Sequence, residues 1–424
     1  MNPRPDARTN GRRRAALAAA GALLAAVAVA GTAAAPASAV VPAGTAATPA
    51  TAATPATAGL PPLDRAAVRR AVAGVPDADV SGVLVRITGD AGTFETSAGT
   101  GDAATGRRPD PDGRFRIGSI SKVFTATVVL QLAAEGRIDL DGTVQQYLPG
   151  VLPADLPPVK VGQLLDHTSG LPRGSNAAWG DGTTAWFAEH RTEGWTPEQV
   201  VATLAGGRMS FAPGTAQQYN GMNTFVAGLL IEKVTGRPYA TEVERRIIRP
   251  LHLRDTAVPD KDDLRLSRPA AHGYLAVDGP DGRRLVDVTE QSPWPWAEGG
   301  MISSAPDLDR FLTALFRGRL LPPAQQRMLF TVPDVPNQQN SQCKASSTPE
   351  RACMSMGLVR AEINGVTLWG KTGSRPGWTS GVFATKDLSR TIVYSLNPTG
   401  LNGAEAADIQ KLAGAVFPPA PSKP

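Results

Sequence analysis

The chain has 424 residues, 42% hydrophobic and 19% charged, enough to bury a large core divided over two subdomains. Its formal net charge is +5, but five arginines and one aspartate in the first 39 residues account for four of those charges. The remainder is close to neutral and keeps no basic stripe, which argues against a nucleic-acid partner.

Arg12, Arg13 and Arg14 precede an apolar run, Ala15 to Ala30, and then the small-residue segment APASA. This is the pattern of a secretory signal peptide, residues 1–39, cut after Ala39. The run is short and weakly hydrophobic for an uncleaved anchor, so a secreted protein without a stable membrane span is expected. Residues 40–62 contain AATPAT twice in succession, a solvated Ala/Thr/Pro linker. Folded structure is expected over 63–416, followed by a disordered tail, 417–424.

DRAAVRRAVAGV (64–75) reads as a helix; VSGVLVRITG (80–89) and TFETSAG (93–99) read as paired strands around a GDAG turn. FRIGSISKVFTA (115–126) opens what reads as an amphipathic helix starting at Ser119. Between about Val159 and Asp287 the spacing is mostly helical: VKVGQLLDH, TPEQVVATLAG, MNTFVAGLLIEKVTG and YATEVERRIIRPL. SSAPDLDRFLTALF is a further helix, with Ser304 as cap and Asp307 three residues on. Strands return in MSMGLVRAEI, VTLWGKTG, GWTSGVFAT and RTIVYSLN, and AEAADIQKLAGAV closes the chain as a helix. Strands at both ends and helices between them predict an α+β fold. One antiparallel sheet is built from both chain ends and flanked by helices, and a mainly helical subdomain is inserted over about 126–290. The cleft between the two parts is the natural place for chemistry.

The two cysteines, Cys343 and Cys353, are expected to form a disulfide in an exported protein. Two thiols are too few for a zinc site, and neither has a partner base nearby to make it a nucleophile.

Ser119 and Lys122 are three residues apart and share a helix face. A cation at a helix N-terminus is disfavoured by the dipole, which would lower the lysine pKa and free the amine to act as a base toward the serine. S-x-x-K is a short pattern, and the chain repeats it at Ser341–Lys344, read as chance. WGKTGSRPGW places Lys371, Thr372 and Gly373 on a strand, with Gly373 allowing close approach of a ligand backbone. Tyr219, in PGTAQQYNGMN, has a phenol that two neighbouring ammonium groups could make more acidic. Trp296 and Trp378 are candidates to line the cleft, with core packing as the competing reading. His167 in DHTSG is read as bracing a loop.

In the order Ser119-x-x-Lys122, Tyr219, Lys371-Thr372-Gly373, these motifs resemble the serine β-lactamase-related and penicillin-binding protein family. The resemblance is closest to class C β-lactamases and secreted actinomycete D-alanyl-D-alanine carboxypeptidases. It extends through LLDHTSGLPRG, VAGLLIEKVTGRPY and GGMISSAPDLDRFL, from about residue 63 to 416. It implies Ser119 as nucleophile and Lys122 and Tyr219 as general acid and base. Lys371 would hold the phenolate and a substrate carboxylate, with Thr372 and Gly373 beside it, and the backbone N–H groups of Ser119 and Ser374 would form an oxyanion hole. It further implies an acyl-D-Ala-D-Ala peptide or a β-lactam as substrate, with no metal or cofactor; the chain is expected to act as a monomer. The activity expected is that of a D-alanyl-D-alanine carboxypeptidase, with a β-lactamase, an esterase or D-amino-acid amidase, or a peptide-stem binding protein without turnover as alternatives. One departure stands out. The family's Tyr-x-Asn is here Tyr219-Asn220-Gly221, so the position of the amide is a glycine. Asn220 is kept as a candidate substrate contact, and Asn223 is the next amide along the chain.

Overall fold

The computed structural model describes residues 60–90, 92–174, 180–338 and 341–419. The expected signal peptide, the linker up to residue 59 and the tail from 420 lie outside the described residues.

Among the described residues, ten strands and five principal helices organise the fold. In order they are α1 (Arg65–Val72), β1 (Val80–Gly89), β2 (Phe94–Gly99), β3 (Arg114–Arg116), α2 (Ser121–Ala134), α3 (Met222–Thr235), β4 (Tyr274–Gly279), β5 (Gly282–Asp287), β6 (Ile302–Ser304), α4 (Ala305–Phe316), β7 (Val359–Ile363), β8 (Val366–Arg375), β9 (Trp378–Ala384), β10 (Arg390–Pro398) and α5 (Ala406–Val416). The main sheet has six strands in the order β2-β1-β10-β9-β8-β7, every neighbouring pair antiparallel. The β1–β10 pairing joins the two ends of the chain, as the strand distribution predicts.

Period-two alternation gives this sheet two faces. Val85, Ile87, Ile392, Tyr394 and Phe383 point to one side, where Val68 and Val72 of α1 and Ile409, Leu412 and Val416 of α5 cover them. Leu84, Val382 and Val393 point to the other, into the larger core shared with α2, α3 and α4. Local signals set several helix ends. Asp64 accepts from the backbone N–H groups of Ala66 and Ala67 to cap α1, Ser304 accepts from Asp307 N to cap α4, and left-handed Gly236 (φ 69°) ends α3.

Three expectations need correction. The helix after Ser119 is not amphipathic: α2 is buried around its circumference, from Ser121 to Leu130 without a break. A helix apolar on every side belongs inside a large core rather than on its surface. Within the mainly helical insertion, β4 and β5 form a hairpin across the Pro280-Asp281 turn. The linker ends earlier than residue 62, since Leu60 packs on the apolar face under α1 and α5 and Pro61 O accepts from Arg390. The tail starts later than 417, because Phe417 is buried in that same face. Among the described residues, no helix is long and apolar enough to cross a membrane.

Candidate active site

Ser119 sits in the single 3-10 turn Gly118–Ile120, immediately before α2. Gly118 has φ 50°, and a β-carbon built on it would lie 2.5 Å from the backbone N and O of Ser374. A β-carbon on Gly373 would lie 1.9 Å from Ile117 O. Two glycines therefore let the serine turn press directly on β8, so the backbone that approaches Gly373 is the chain's own rather than the ligand's that was expected. The backbones of Ser119 and Ser374, the expected oxyanion pair, come together there. Ser119 caps nothing: the cap of α2 is Ile120, without a side-chain bond.

The Ser119 hydroxyl instead meets two functional groups. Lys122 Nζ donates to Ser119 Oγ at 3.0 Å and Tyr219 OH donates to it at 2.7 Å. Lys122 Nζ lies 5.1 Å from the centre of the Tyr219 ring and Lys371 Nζ lies 4.8 Å from it. Residues 100 apart in sequence thus share one hydroxyl, and the three motifs converge on a single point.

Tyr219 is aimed by a network that the sequence only hints at. His167, at φ 61° and buried, accepts from Asn220 N through Nδ1 at 3.2 Å, and its ring lies 4.9 Å from the tyrosine ring. Asn223 contacts the same His167 nitrogen at 3.1 Å and accepts from Ser169 Oγ at 2.6 Å. Gln217 donates to Asp166 O and Met354 O, and accepts from Cys353 N and Met354 N. His167 braces the loop as expected. Burial and the charges of Lys122 and Lys371 hold its imidazole neutral, well below the usual histidine range.

Two candidate substrate contacts are structural instead. Asn220 is buried; its amide donates to Leu171 O and Pro172 O, and its carbonyl accepts from Met222 N. Its short side chain points into the adjoining loop because that is where three backbone groups need partners. Trp296 packs edge-on against Tyr239 at 5.1 Å and over Gly228, where an added β-carbon would lie 2.5 Å from its ring. Trp378 is likewise core, 1% exposed. In the second S-x-x-K match, Lys344 is exposed on the short turn Ser341–Ala345.

Cys343 and Cys353 form the expected disulfide. It pins the turn carrying Gln342, a residue without any sequence signal. Gln342 Oε1 accepts from Lys371 Nζ at 3.2 Å and from Thr372 Oγ1 at 3.2 Å.

The largest surprise is Glu298. It lies in the single turn Trp296–Gly299, whose first residue is held in the left-handed region at φ 46°. Thr125 Oγ1 donates to Ala297 O and Ser121 Oγ accepts from Met301 N, so this stretch is fastened to the first turns of α2. Lys122 Nζ donates to Glu298 O at 2.7 Å and forms an ion pair with Glu298 Oε1. That pair reverses the expected electrostatics. Burial works to lower the Lys122 pKa, but the Glu298 carboxylate and Tyr219 outweigh it and raise it. The Tyr219 phenol is not acidified either: burial raises its pKa, Lys122 opposes, and Glu298 adds to the rise. The amine whose pKa falls is Lys371, lowered to about 7 by burial and by the charge of Lys122. The helix dipole does not decide the Lys122 charge, because a carboxylate in direct contact outweighs a partial charge at a helix end.

The model of the Beta-lactamase family matches residues 65–417. The chain belongs to the beta-lactamase family. Within this family, it is similar to a D-stereospecific amidohydrolase from Streptomyces sp., at 34% identity and TM-score 0.71, covering 84% of this chain and 99% of that one. It is also 29% identical over 245 residues to Esterase EstB of Burkholderia gladioli, covering 52% of this chain and 62% of that protein. Penicillin-binding protein 4 of Amycolatopsis lactamdurans is 28% identical over 236 residues, covering 55% of this chain and 58% of that protein. The matched stretch thus spans about three fifths of each of these two curated relatives. The expected resemblance and fold are both confirmed.

Proposed function

We propose that the protein hydrolyses amides and esters of D-configured aminoacyl groups through an acyl-enzyme on Ser119. The single observation that carries this reading is Gln342. Its carbonyl oxygen occupies the hydrogen-bonding positions of Lys371 and Thr372 that the family pattern assigns to a substrate carboxylate. A free C-terminal carboxylate must displace that oxygen, and it meets a lysine whose charge burial has weakened. An amide or ester leaving group carries no such anion. The similarity to a D-stereospecific amidohydrolase along almost its full length supports the same direction.

In this reading Ser119 attacks the acyl carbonyl, and the N–H groups of Ser119 and Ser374 hold the oxyanion. The amine or alcohol leaves, and water then frees the enzyme. The D-alanyl-D-alanine carboxypeptidase is the second reading, favoured by the Lys371-Thr372-Gly373 strand itself. The leader read in residues 1–39 supports work outside the cytoplasm.

The test is a kinetic panel: D-phenylalanine p-nitroanilide, its L-enantiomer, p-nitrophenyl acetate, an N-acyl-D-alanyl-D-alanine peptide and a cephalosporin, with Ser119→Ala as control. The D-anilide is expected to be cleaved about tenfold or more faster than the L-form and than the peptide, a margin set by differential transition-state binding. Gln342→Ala is expected to narrow the gap to the peptide. Faster D-alanine release from the peptide than anilide cleavage would return the carboxypeptidase reading. Stable labelling of Ser119 by the cephalosporin with no turnover of any substrate would make the protein a trap.

A further inference from the structure

The glycine at position 221 and the glutamate at position 298 belong together. A β-carbon built on Gly221 would lie 3.0 Å from Glu298 Oε1, 3.1 Å from its Cγ and 3.3 Å from its Cδ. The space where Tyr-x-Asn would place its amide is therefore filled by the Glu298 side chain. Neither neighbouring amide takes that role, since Asn220 and Asn223 are both committed to the loop that holds Tyr219. The exchange is not neutral, because an uncharged amide has been replaced by a carboxylate in contact with the Lys122 ammonium.

We infer that Glu298 is a positioning residue for the reaction, seated in room that Gly221 provides, and that it takes up through Lys122 the proton Ser119 loses on acylation. Lys122 cannot accept a proton while it is an ammonium. It can do so as it passes one of its own protons to Glu298. The Ser119 O–H bond then breaks toward Lys122 Nζ, an Nζ–H bond breaks toward Glu298 Oε1, and Ser119 Oγ bonds to the acyl carbon. The carbonyl electron pair moves to the oxygen. Lys122 stays an ammonium throughout; Glu298 becomes a carboxylic acid and the substrate an oxyanion. When the tetrahedral species collapses, Tyr219 OH protonates the departing amine or alkoxide. Lys122 returns a proton to Tyr219 and recovers one from Glu298, which is a carboxylate again. Ser119 contacts Lys122 and Tyr219 directly, and Lys122 contacts Glu298 and hydrogen-bonds the Tyr219 side chain, so every transfer runs between neighbouring groups.

This inference rests on acylation of Ser119 and not on which acyl donor is natural. The probe is therefore p-nitrophenyl acetate, read as the pre-steady-state burst of p-nitrophenol on the full-length protein, with mass spectrometry of Ser119. If the wild type never carries an acetyl group there, the acyl-enzyme reading fails before any variant is compared. If it does, Glu298→Gln is expected to lower kcat/KM by about 100-fold at pH 7, the scale of general base catalysis, with KM little changed. The deficit should shrink by about tenfold by pH 9.5, because a buried lysine without its anion becomes a free amine and accepts the serine proton itself. A variant within threefold of wild type, or a deficit that does not change with pH, overturns the relay. The second comparison sets Gly221→Asn/Glu298→Ala against Glu298→Ala alone, both checked for cooperative unfolding. Recovery of about tenfold in the double variant is expected from restoring an amide in that space; no recovery refutes the exchange.

Discussion

Lys122 and Lys371 flank the same tyrosine ring, at 5.1 and 4.8 Å, and both are buried. They begin from the same chemistry and end with opposite electrostatics. Lys122 faces a carboxylate, and its pKa rises despite burial. Lys371 faces a carboxamide oxygen and a backbone carbonyl, and its pKa falls to about 7. Burial alone disfavours an ammonium in either place; one neighbouring anion decides the sign. The site thus holds one firm cation beside the nucleophile and one titrating amine across the ring.

Removing the firm cation should have the largest effect. Lys122→Met is expected to abolish most turnover, by about 10³-fold, and to destabilise the fold by about 3–5 kcal/mol, because Glu298 is left as a buried charge without its partner. Burst kinetics and urea unfolding at pH 7 check both. A variant as stable as wild type would show that the pair contributes nothing net and would break the comparison.

Lys371→Met sharpens it through pH. The folded pKa of Lys371 lies near 7, below its ordinary value of 10.5, so between those limits the unfolded chain binds the extra proton. Stability attributable to this group therefore rises with pH from about 7 to about 10.5 and is at its lowest below pH 7. Replacing the amine by an apolar side chain should stabilise the protein by about 2–4 kcal/mol at pH 6, with the gain fading toward pH 10. Lys122 has the opposite sign: its raised pKa contributes stability that is full below its unfolded pKa and is lost only as pH climbs through the folded one. Chemical denaturation at several pH values distinguishes the two slopes. A Lys371→Met gain independent of pH would mean that the amine is not the group titrating.

The smallest expected effect concerns the disulfide on the Lys371 side. Cys343→Ser/Cys353→Ser should cost about 2–3 kcal/mol in thermal unfolding, the scale for a short closed loop. It should also loosen Gln342, read as faster cleavage of a carboxylate-terminated peptide relative to an anilide. Unchanged selectivity would detach Gln342 from the loop's role.

Much of the fold was legible locally. The cap at Ser304 and the strands β1 and β10 are carried by residues close in sequence, and the structure follows them. The amphipathic reading of the helix at Ser119 failed for a tertiary reason. Enough apolar mass surrounds α2 to bury every face, including Lys122, and no window of local sequence records how much chain will pack around it. The β4–β5 hairpin was passed over because helical spacing on either side concealed a short alternating pair.

By itself, the sequence determined the residue types the chemistry needs: a serine and lysine one helical turn apart, a tyrosine, a Lys-Thr-Gly strand and a cysteine pair. It also announced the glycine where the family pattern has an asparagine. Only the tertiary structure decided what those residues become. Glu298 stands 176 positions from Lys122 and Gln342 stands 29 from Lys371, and each reaches its partner through the way distant segments pack. Protonation in a buried site depends on the nearest charge and on the water excluded around it. Both are set by neighbours in space, which the order of residues along the chain does not specify.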